Sequence, residues 1–316
     1  MRHALIVAGP TCSGKSALAL ALAERLGGVV INADAMQVYR ELRVLTARPT
    51  AADVARAPHA LYGIRPAAEP GSVAWWREAA LDEMAQAGEN GRLPILCGGS
   101  GMYLAALTGG IAPIPDSGAA ARNEARQYLA ELGAPGLHAR LAEHDPTTAA
   151  RLHPEDSQRV ARAWEVWRGT GRGLAAWQNE RAPPLPWRFT ALHLDPDRTT
   201  LRAAIAHRFA AMLAQDALGE VAALCAQNLD PALPAMRAHG VPELAAHLRG
   251  ALSLAEATQR AILVTGQYTK RQATWFRHHA LTEPGRTQRI CSSIPGMQQF
   301  SESFMGDLVN FIVNAG

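Results

Sequence analysis

A chain of 316 residues, 48% hydrophobic and 19% charged, has the composition of an ordinary globular protein, long enough for one large core with an inserted domain. No apolar run approaches the roughly 18 residues of a membrane span, and Cys12, Cys97, Cys225 and Cys291 form no C-x-x-C pair, which argues against a disulfide framework or a structural zinc site. The formal net charge of +3 permits nucleic acid as a partner without requiring it.

HALIVA (3–8) reads as a buried parallel strand, so no signal peptide is expected before it. GPTCSGKS follows and fits the phosphate-binding pattern G-x-x-x-x-G-K-[ST] with Gly9, Pro10, Thr11, Cys12, Ser13, Gly14, Lys15 and Ser16. Glycines let such a loop fold tightly, so that its N–H groups face phosphate oxygens. The next helix adds its positive N-terminus, Lys15 reaches a terminal phosphate and Ser16 can hold Mg²⁺. Lys15 and Lys270 are the only lysines in a chain that otherwise uses arginine, so a compact ammonium is wanted in the loop.

A helix over about 14–26 leads to a strand at 29–34 that Asp34 closes. A carboxylate there serves as a general base or reaches a metal through water; away from a phosphate loop it would be read as a turn aspartate. A helix over about 73–88, a strand at 93–97 and a helix over about 101–107 complete the first half. The alternation predicts an α/β fold, a P-loop NTPase-like parallel sheet flanked by helices, with ligands at the carboxyl ends of the strands. GGSG (98–101) stands where many P-loop proteins carry a magnesium-ordering acid; Ser100 offers a hydroxyl, or else merely caps a helix.

At IAPIPDSG (111–118) the pattern changes to helical segments, and a proline-rich break at 179–188 precedes a returning strand at 188–195. We therefore expect a core of residues 1–111 and 188–282, a helical insertion of 112–187, and a tail of 283–316 with no role assigned. In the insertion, Val160, Trp164 and Trp167 form an apolar stripe opposite Gln158, Arg162 and Glu165. Helices are expected at 197–213, carrying Arg208, and from Ser253 to His278, where Lys270 and Arg271 lie among aromatics. A charged helix face is more often solvated than functional.

Taken together, GPTCSGKS, INADAMQVYRELRVLTARPT, LPILCGGSGMYL, HPEDSQRVARAWEVWRGTG and QYTKRQATWFRHH, in this order, resemble the bacterial tRNA dimethylallyltransferases, or tRNA isopentenyltransferases, over nearly the whole chain to about His279. The resemblance implies that the loop holds the diphosphate of dimethylallyl diphosphate as a leaving group. The acceptor would be the exocyclic amine of the adenine 3′ of the tRNA anticodon. It implies Asp34 as general base, with Lys15 and Ser100 on the leaving group, Mg²⁺ at Ser16 and Arg208 near the diphosphate. The family usually has threonine at Ser100; the hydroxyl is kept.

By the same resemblance Asp34, Ala35, Met36, Gln37 and Ser100 meet the flipped base. Arg122, Gln158, Arg159, Val160, Ala161, Arg162, Arg237, Lys270 and Arg271 meet the rest of the tRNA. After Arg237, Ala238, His239 and Gly240 the family commonly has an aromatic and a basic residue, whereas Val241, Pro242 and Glu243 stand here. A cytoplasmic monomer with no membrane or protein partner is expected. Three other readings fit parts of the chain. A small-molecule kinase would need an acid after the third strand, an isopentenyltransferase acting on free AMP or ADP would have little use for the insertion, and a non-enzymatic RNA-binding module would have none for Asp34.

Overall fold

The computed structural model describes residues 2–180, 185–291 and 300–316. They form two compact units, Met1–Thr108 with Leu185–Gly316, and Gly109–Pro184. The first unit runs β1 (Arg2–Ala8), α1 (Lys15–Leu26), β2 (Gly28–Asn32), α2 (Ala51–Arg56), β3 (His59–Ala60), α3 (Val73–Glu89), β4 (Leu93–Gly98) and α4 (Gly101–Gly109). The second unit contributes α5 (Gly118–His144), α6 (Pro146–Ala149), α7 (Ser157–Thr170) and α8 (Leu174–Gln178). The chain then returns to the first unit with β5 (Trp187–Leu194), α9 (Arg198–Ala214), α10 (Ala217–Cys225), α11 (Val241–Leu248), α12 (Leu254–His278), β6 (Thr287–Ile290) and α13 (Glu302–Ala315).

The sheet order is β3-β2-β4-β1-β5-β6, parallel throughout. Parallel strands covered on both faces are apolar without alternation, which is why HALIVA was legible: residues 4–8 are wholly buried. The register pairs Ala8 with Gly98 and Asn32 with Cys97, so the loops leaving β1, β2 and β4 emerge side by side at one edge. Crossing from strand to helix, Gly14 opens α1 at φ 89° and Gly27 closes it at φ 63°, both in the left-handed region.

Two apolar cores line the faces of the sheet. Trp76 and Met84 of α3, Leu104 of α4 and Leu244 of α11 cover one; Leu18 and Leu22 of α1 cover the other. The second core includes Met305, Leu308 and Ile312 of α13, and β6 adds an edge strand beside β5. The described residues beyond 282, given no role in the sequence reading, are thus part of the first unit. The spacing of Met305, Leu308 and Ile312 is that of a helix face, but which surface it covers depends on the distant β1 and α1.

Two further differences are local. β2 ends at Asn32, so Asp34 stands in the turn rather than closing the strand. The Asn32 side chain is the reason: its Oδ1 accepts from Asp34 N–H at 2.8 Å and its amide donates to the Asp34 and Leu61 carbonyls at 3.0 and 3.1 Å, diverting the backbone out of the ladder. Within α5, Gly133 has φ 69° and ψ 177°, which breaks the helix in two. Part of the proline-rich break, residues 181–184, lies outside the described residues.

Leu308 is 1% exposed and Val313, on the outer face of the same helix, is 67% exposed. Leu308→Ala is expected to cost about 2–5 kcal/mol in urea unfolding, and Val313→Ala less than about 0.5 kcal/mol. Equal small losses would mean that α13 does not belong to the core.

Candidate active site

The phosphate loop is wound by Cys12 at φ 66° and Gly14 at φ 89°, a conformation that turns successive N–H groups to one side. Lys15 is 8% exposed and folds back over the loop, donating from Nζ to the Pro10 carbonyl at 3.3 Å. Two loop N–H groups are used internally: Ser13 donates to the Pro10 carbonyl at 3.2 Å and Thr11 to Gln272 Oε1 at 2.9 Å. The Ser13 hydroxyl is buried beside Gly9 with no hydrogen-bond partner among the described residues. Gly9 is required by crowding, since a Cβ there would lie 2.7 Å from the Leu194 carbonyl of β5.

Ser16, in the first turn of α1, is exposed, with its hydroxyl beside the Cys97 sulfur. Burial pushes the Cys97 thiol up to about 11, against the lowering influence of Lys15 and Ser16, so this cysteine is a neutral wall of the site.

Asp34, in the turn after β2, faces the loop across the end of β4. One carboxylate oxygen accepts from Met36 N–H at 2.9 Å and the other makes no hydrogen bond among the described residues. Ser100 Oγ accepts from Ala35 N–H at 2.9 Å, which fixes the two turns against each other. That approach needs Gly98, where a Cβ would lie 2.0 Å from the Ala33 carbonyl oxygen.

α12 closes the site. Tyr268 lies beside Ser100 and Gln272, and burial raises its phenol well above the ordinary range, keeping it neutral. His239 packs against its ring at 4.6 Å, and burial together with Arg271 holds that imidazole below its usual value.

Two cavities flank this group and share Met36 and Tyr268. One lies against the phosphate loop and Asp34 and is lined by Leu45, Ile205, Phe209, Met212 and Arg208. The other, of about 380 Å³, is lined by Ala35, Tyr39, Ser100, Tyr103, Arg271 and Trp275. A cavity with an apolar extension beside the phosphate loop and the Asp34 carboxylate therefore adjoins an aromatic pocket that holds the Ser100 hydroxyl, the two sharing Met36 and Tyr268 as a wall.

The residues singled out in the sequence separate into groups. Of residues 9–16, Thr11 and Cys12 line the first cavity with Asp34, Met36 and Arg208, and Ala35, Met36, Ser100 and Arg271 line the second. Arg208 donates to the Thr46 carbonyl at 3.3 Å and lies 4.0 Å from Cys12 Sγ. Gln37 does not open into either cavity, because its amide donates to the Thr46 and Ala47 carbonyls at 2.9 and 3.1 Å. Lys270 and Arg237 are exposed and line neither one. Val241, Pro242 and Glu243 build the start of α11, with Glu243 accepting from Gly240 N–H at 3.1 Å.

In the second unit Gln158, Arg159 and Arg162 are exposed on α7, and Arg122 pairs with Asp116 at 2.5 Å. Arg162 also donates to Ser117 Oγ at 3.2 Å. Val160 is corrected by the structure: it is wholly buried in the core of this unit, so its side chain makes no surface contact. Tyr268, Gln272 and His239 were missed. Tyr268 and Gln272 are four residues apart on α12, a spacing that marks a shared face but not what it meets.

A parallel sheet carrying a lysine-bearing phosphate loop, a carboxylate turn and a serine turn at its carboxyl edge defines a P-loop-type α/β protein built to hold a phosphorylated ligand beside a second substrate. The chain matches the family described as "IPP transferase" over residues 37–279 and that described as "Isopentenyl transferase" over residues 1–65. It belongs to the IPP transferase family. It is 62% identical to a tRNA dimethylallyltransferase of Granulibacter bethesdensis, over 98% of each chain. To that of Gluconacetobacter diazotrophicus it is 60% identical, over 99% of this chain and 94% of the relative.

Among solved structures it is similar to the tRNA isopentenylpyrophosphate transferase of Bacillus halodurans, with a TM-score of 0.67, 28% identity and coverage of 99% and 97% of the two chains. A eukaryotic dimethylallyltransferase acting on tRNA shares the fold at a TM-score of 0.84, 24% identity and coverage of 99% of this chain and 80% of that one.

Burial also depresses the imidazoles of His3 and His193, as it does that of His239. An imidazole depressed in the folded state is protonated more readily in the unfolded chain, so stability is level above about pH 6.5 and declines as pH falls below it. Urea unfolding between pH 5 and 8 is expected to show this slope, and His193→Phe to flatten it.

Proposed function

We propose that the protein transfers the dimethylallyl group of dimethylallyl diphosphate to the exocyclic amine of the adenine 3′ of the anticodon in tRNA, releasing diphosphate. The observation that carries this reading is that the two cavities share Met36 and Tyr268, with Asp34 lining one and Ser100 the other. The diphosphate lies in residues 9–16 with the apolar allyl chain against Leu45, Phe209 and Met212. The flipped adenine enters from the other side, among Tyr39, Tyr103 and Trp275. The relatives' names support both the group transferred and the acceptor.

The amine nitrogen attacks the allylic carbon, a C–N bond forms as the C–O bond to diphosphate breaks, and the amine proton passes to Asp34. An adenine amine is a poor nucleophile because its lone pair is delocalised, so proton removal as the bond forms is where a base acts. The unpaired Asp34 oxygen is suited to it. Negative charge gathering on the departing oxygen is met by Lys15, Arg208, the free loop N–H groups and the Ser100 hydroxyl.

The donor set fits Mg²⁺. Ser16 offers one hydroxyl, and among the described residues no three His, Cys, Asp or Glu side chains cluster as a cage. Diphosphate oxygens and water would supply its other ligands. When bound, the ion supplies neutralisation of the leaving group's charge.

Gln158, Arg159, Arg162 and Arg122 of the second unit, and Arg237, Lys270 and Arg271 of the first, are the groups for RNA phosphates and unpaired bases. The flanking Ala161 is half-buried. tRNA as acceptor puts the activity in the cytoplasm, and a single chain holds every group the reaction uses.

Labelled dimethylallyl diphosphate, Mg²⁺ and unmodified tRNA are expected to give labelled nucleoside; label entering free AMP in place of tRNA would overturn the acceptor. Asp34→Asn is expected to keep donor binding and slow single turnover by about 10²–10⁴-fold; a near-normal rate at neutral pH would remove Asp34 from the mechanism. Converting Lys270 and Arg271 to Gln is expected to weaken tRNA binding and reduce its log–log salt slope by about 1 or more. An unchanged slope would make both side chains structural.

A further inference from the structure

Gln272, a polar side chain of α12, bonds to both the phosphate loop and the serine turn. It is 4% exposed, and its amide is used at both ends: Oε1 accepts from Thr11 N–H at 2.9 Å, and Nε2 donates to the Gly99 carbonyl at 2.9 Å. Thr11 belongs to the phosphate loop and Gly99 to the turn that carries Ser100. The two loops leave adjacent strands, and Gln272 fills the gap between them so closely that a Cβ on Gly99 would lie 2.3 Å from Nε2. One helical turn on, Trp275 does the same to Gly101, whose Cβ would lie 2.3 Å from the indole.

The chemistry of the spot requires this residue. A donor and an acceptor face it about one amide apart, and only a neutral amide satisfies both at once. An ionised glutamate accepts but cannot donate, asparagine is a methylene short, and methionine fills the volume while doing neither. Tyr268, one turn back on the same face of α12, lines the same cavity as Ser100 and Gln272.

We propose that Gln272 is a positioning residue for the transfer reaction, fixing the separation between the diphosphate held by residues 9–16 and the hydroxyl of Ser100. This rests on the activity proposed above. The loop holds the leaving group and the turn holds the donor that meets the departing charge, so slack between them misplaces the hydroxyl at the moment it is needed. Displacements near 1 Å cost about 10²-fold in rate.

The test compares full-length wild type, Gln272→Met, Gln272→Glu, Ser100→Ala and the Gln272→Met/Ser100→Ala double variant. Three quantities are read: single-turnover transfer to tRNA at saturating donor, calorimetric binding of inorganic diphosphate with Mg²⁺, and melting temperature. Gln272→Met is expected to slow transfer by about 10²-fold and to weaken diphosphate binding several-fold. The double variant is expected to be no slower than the slower single variant, because Gln272 acts through the turn that carries Ser100.

A folded Gln272→Met with lowered melting temperature but wild-type rate would overturn the proposal, as would fully multiplicative losses in the double variant. If Gln272→Met does not fold, Gln272→Glu keeps the shape and the Thr11 bond and is read in its place; the same loss is expected, and a wild-type rate overturns the idea. Should wild type itself transfer nothing to tRNA, the activity reading fails separately. Diphosphate binding then decides, an unchanged affinity in Gln272→Met sinking the proposal and a weakened one supporting the link to the loop.

Discussion

The parallel pairing of β1, β4 and β2 is the constraint on which the site depends. Because Ala8 pairs with Gly98 and Asn32 with Cys97, three loops that are far apart in sequence leave the sheet within contact distance of one another. Contact that close leaves no volume for side chains. Gly9 against Leu194 and Gly98 against Ala33 are therefore glycines for a steric reason that owes nothing to flexibility. Remove the register and the lysine, the carboxylate and the hydroxyl would have no common centre.

Polar side chains then convert proximity into fixed geometry. Asn32 turns the chain out of β2 and presents Asp34, Ser100 Oγ takes the Ala35 N–H, and Gln272 joins the phosphate loop to the serine turn. Each bond satisfies a backbone group that would otherwise be buried unpaired, so the same interactions that stabilise the edge of the sheet hold the reacting groups. Burial finishes the work by keeping Tyr268, Cys97 and His239 neutral around Asp34. On the function proposed above, Lys15 and Arg208 are the cations that act on the anion.

The second unit follows a different logic. Val160, Ala163 and Trp164 close its core from one face of α7, and Gln158, Arg159 and Arg162 are left on the other. An amphipathic helix must leave some face in solvent; which of those polar groups touches RNA is a matter of the partner. The correction at Val160 follows from the same periodicity, since a residue two positions from an exposed one lies on the far side of a helix.

The sequence by itself determined the local elements and the chemical inventory. Continuous apolar runs marked the central strands, glycine spacing marked the phosphate loop, and Asp34 and Ser100 were visible because each ends a strand-to-loop passage. These signals are short-range, set by backbone sterics and by the period of burial. Only the tertiary structure decided that α12 closes the site, that Gln272 and Tyr268 face inward while Lys270 faces out, and that α13 covers the sheet beside α1. Those outcomes depend on residues far apart in the chain coming together, the bond from Thr11 to Gln272 and the core shared by Leu5 and Leu308 among them. Helical periodicity assigns a residue to a face but carries no information about which distant surface that face will meet.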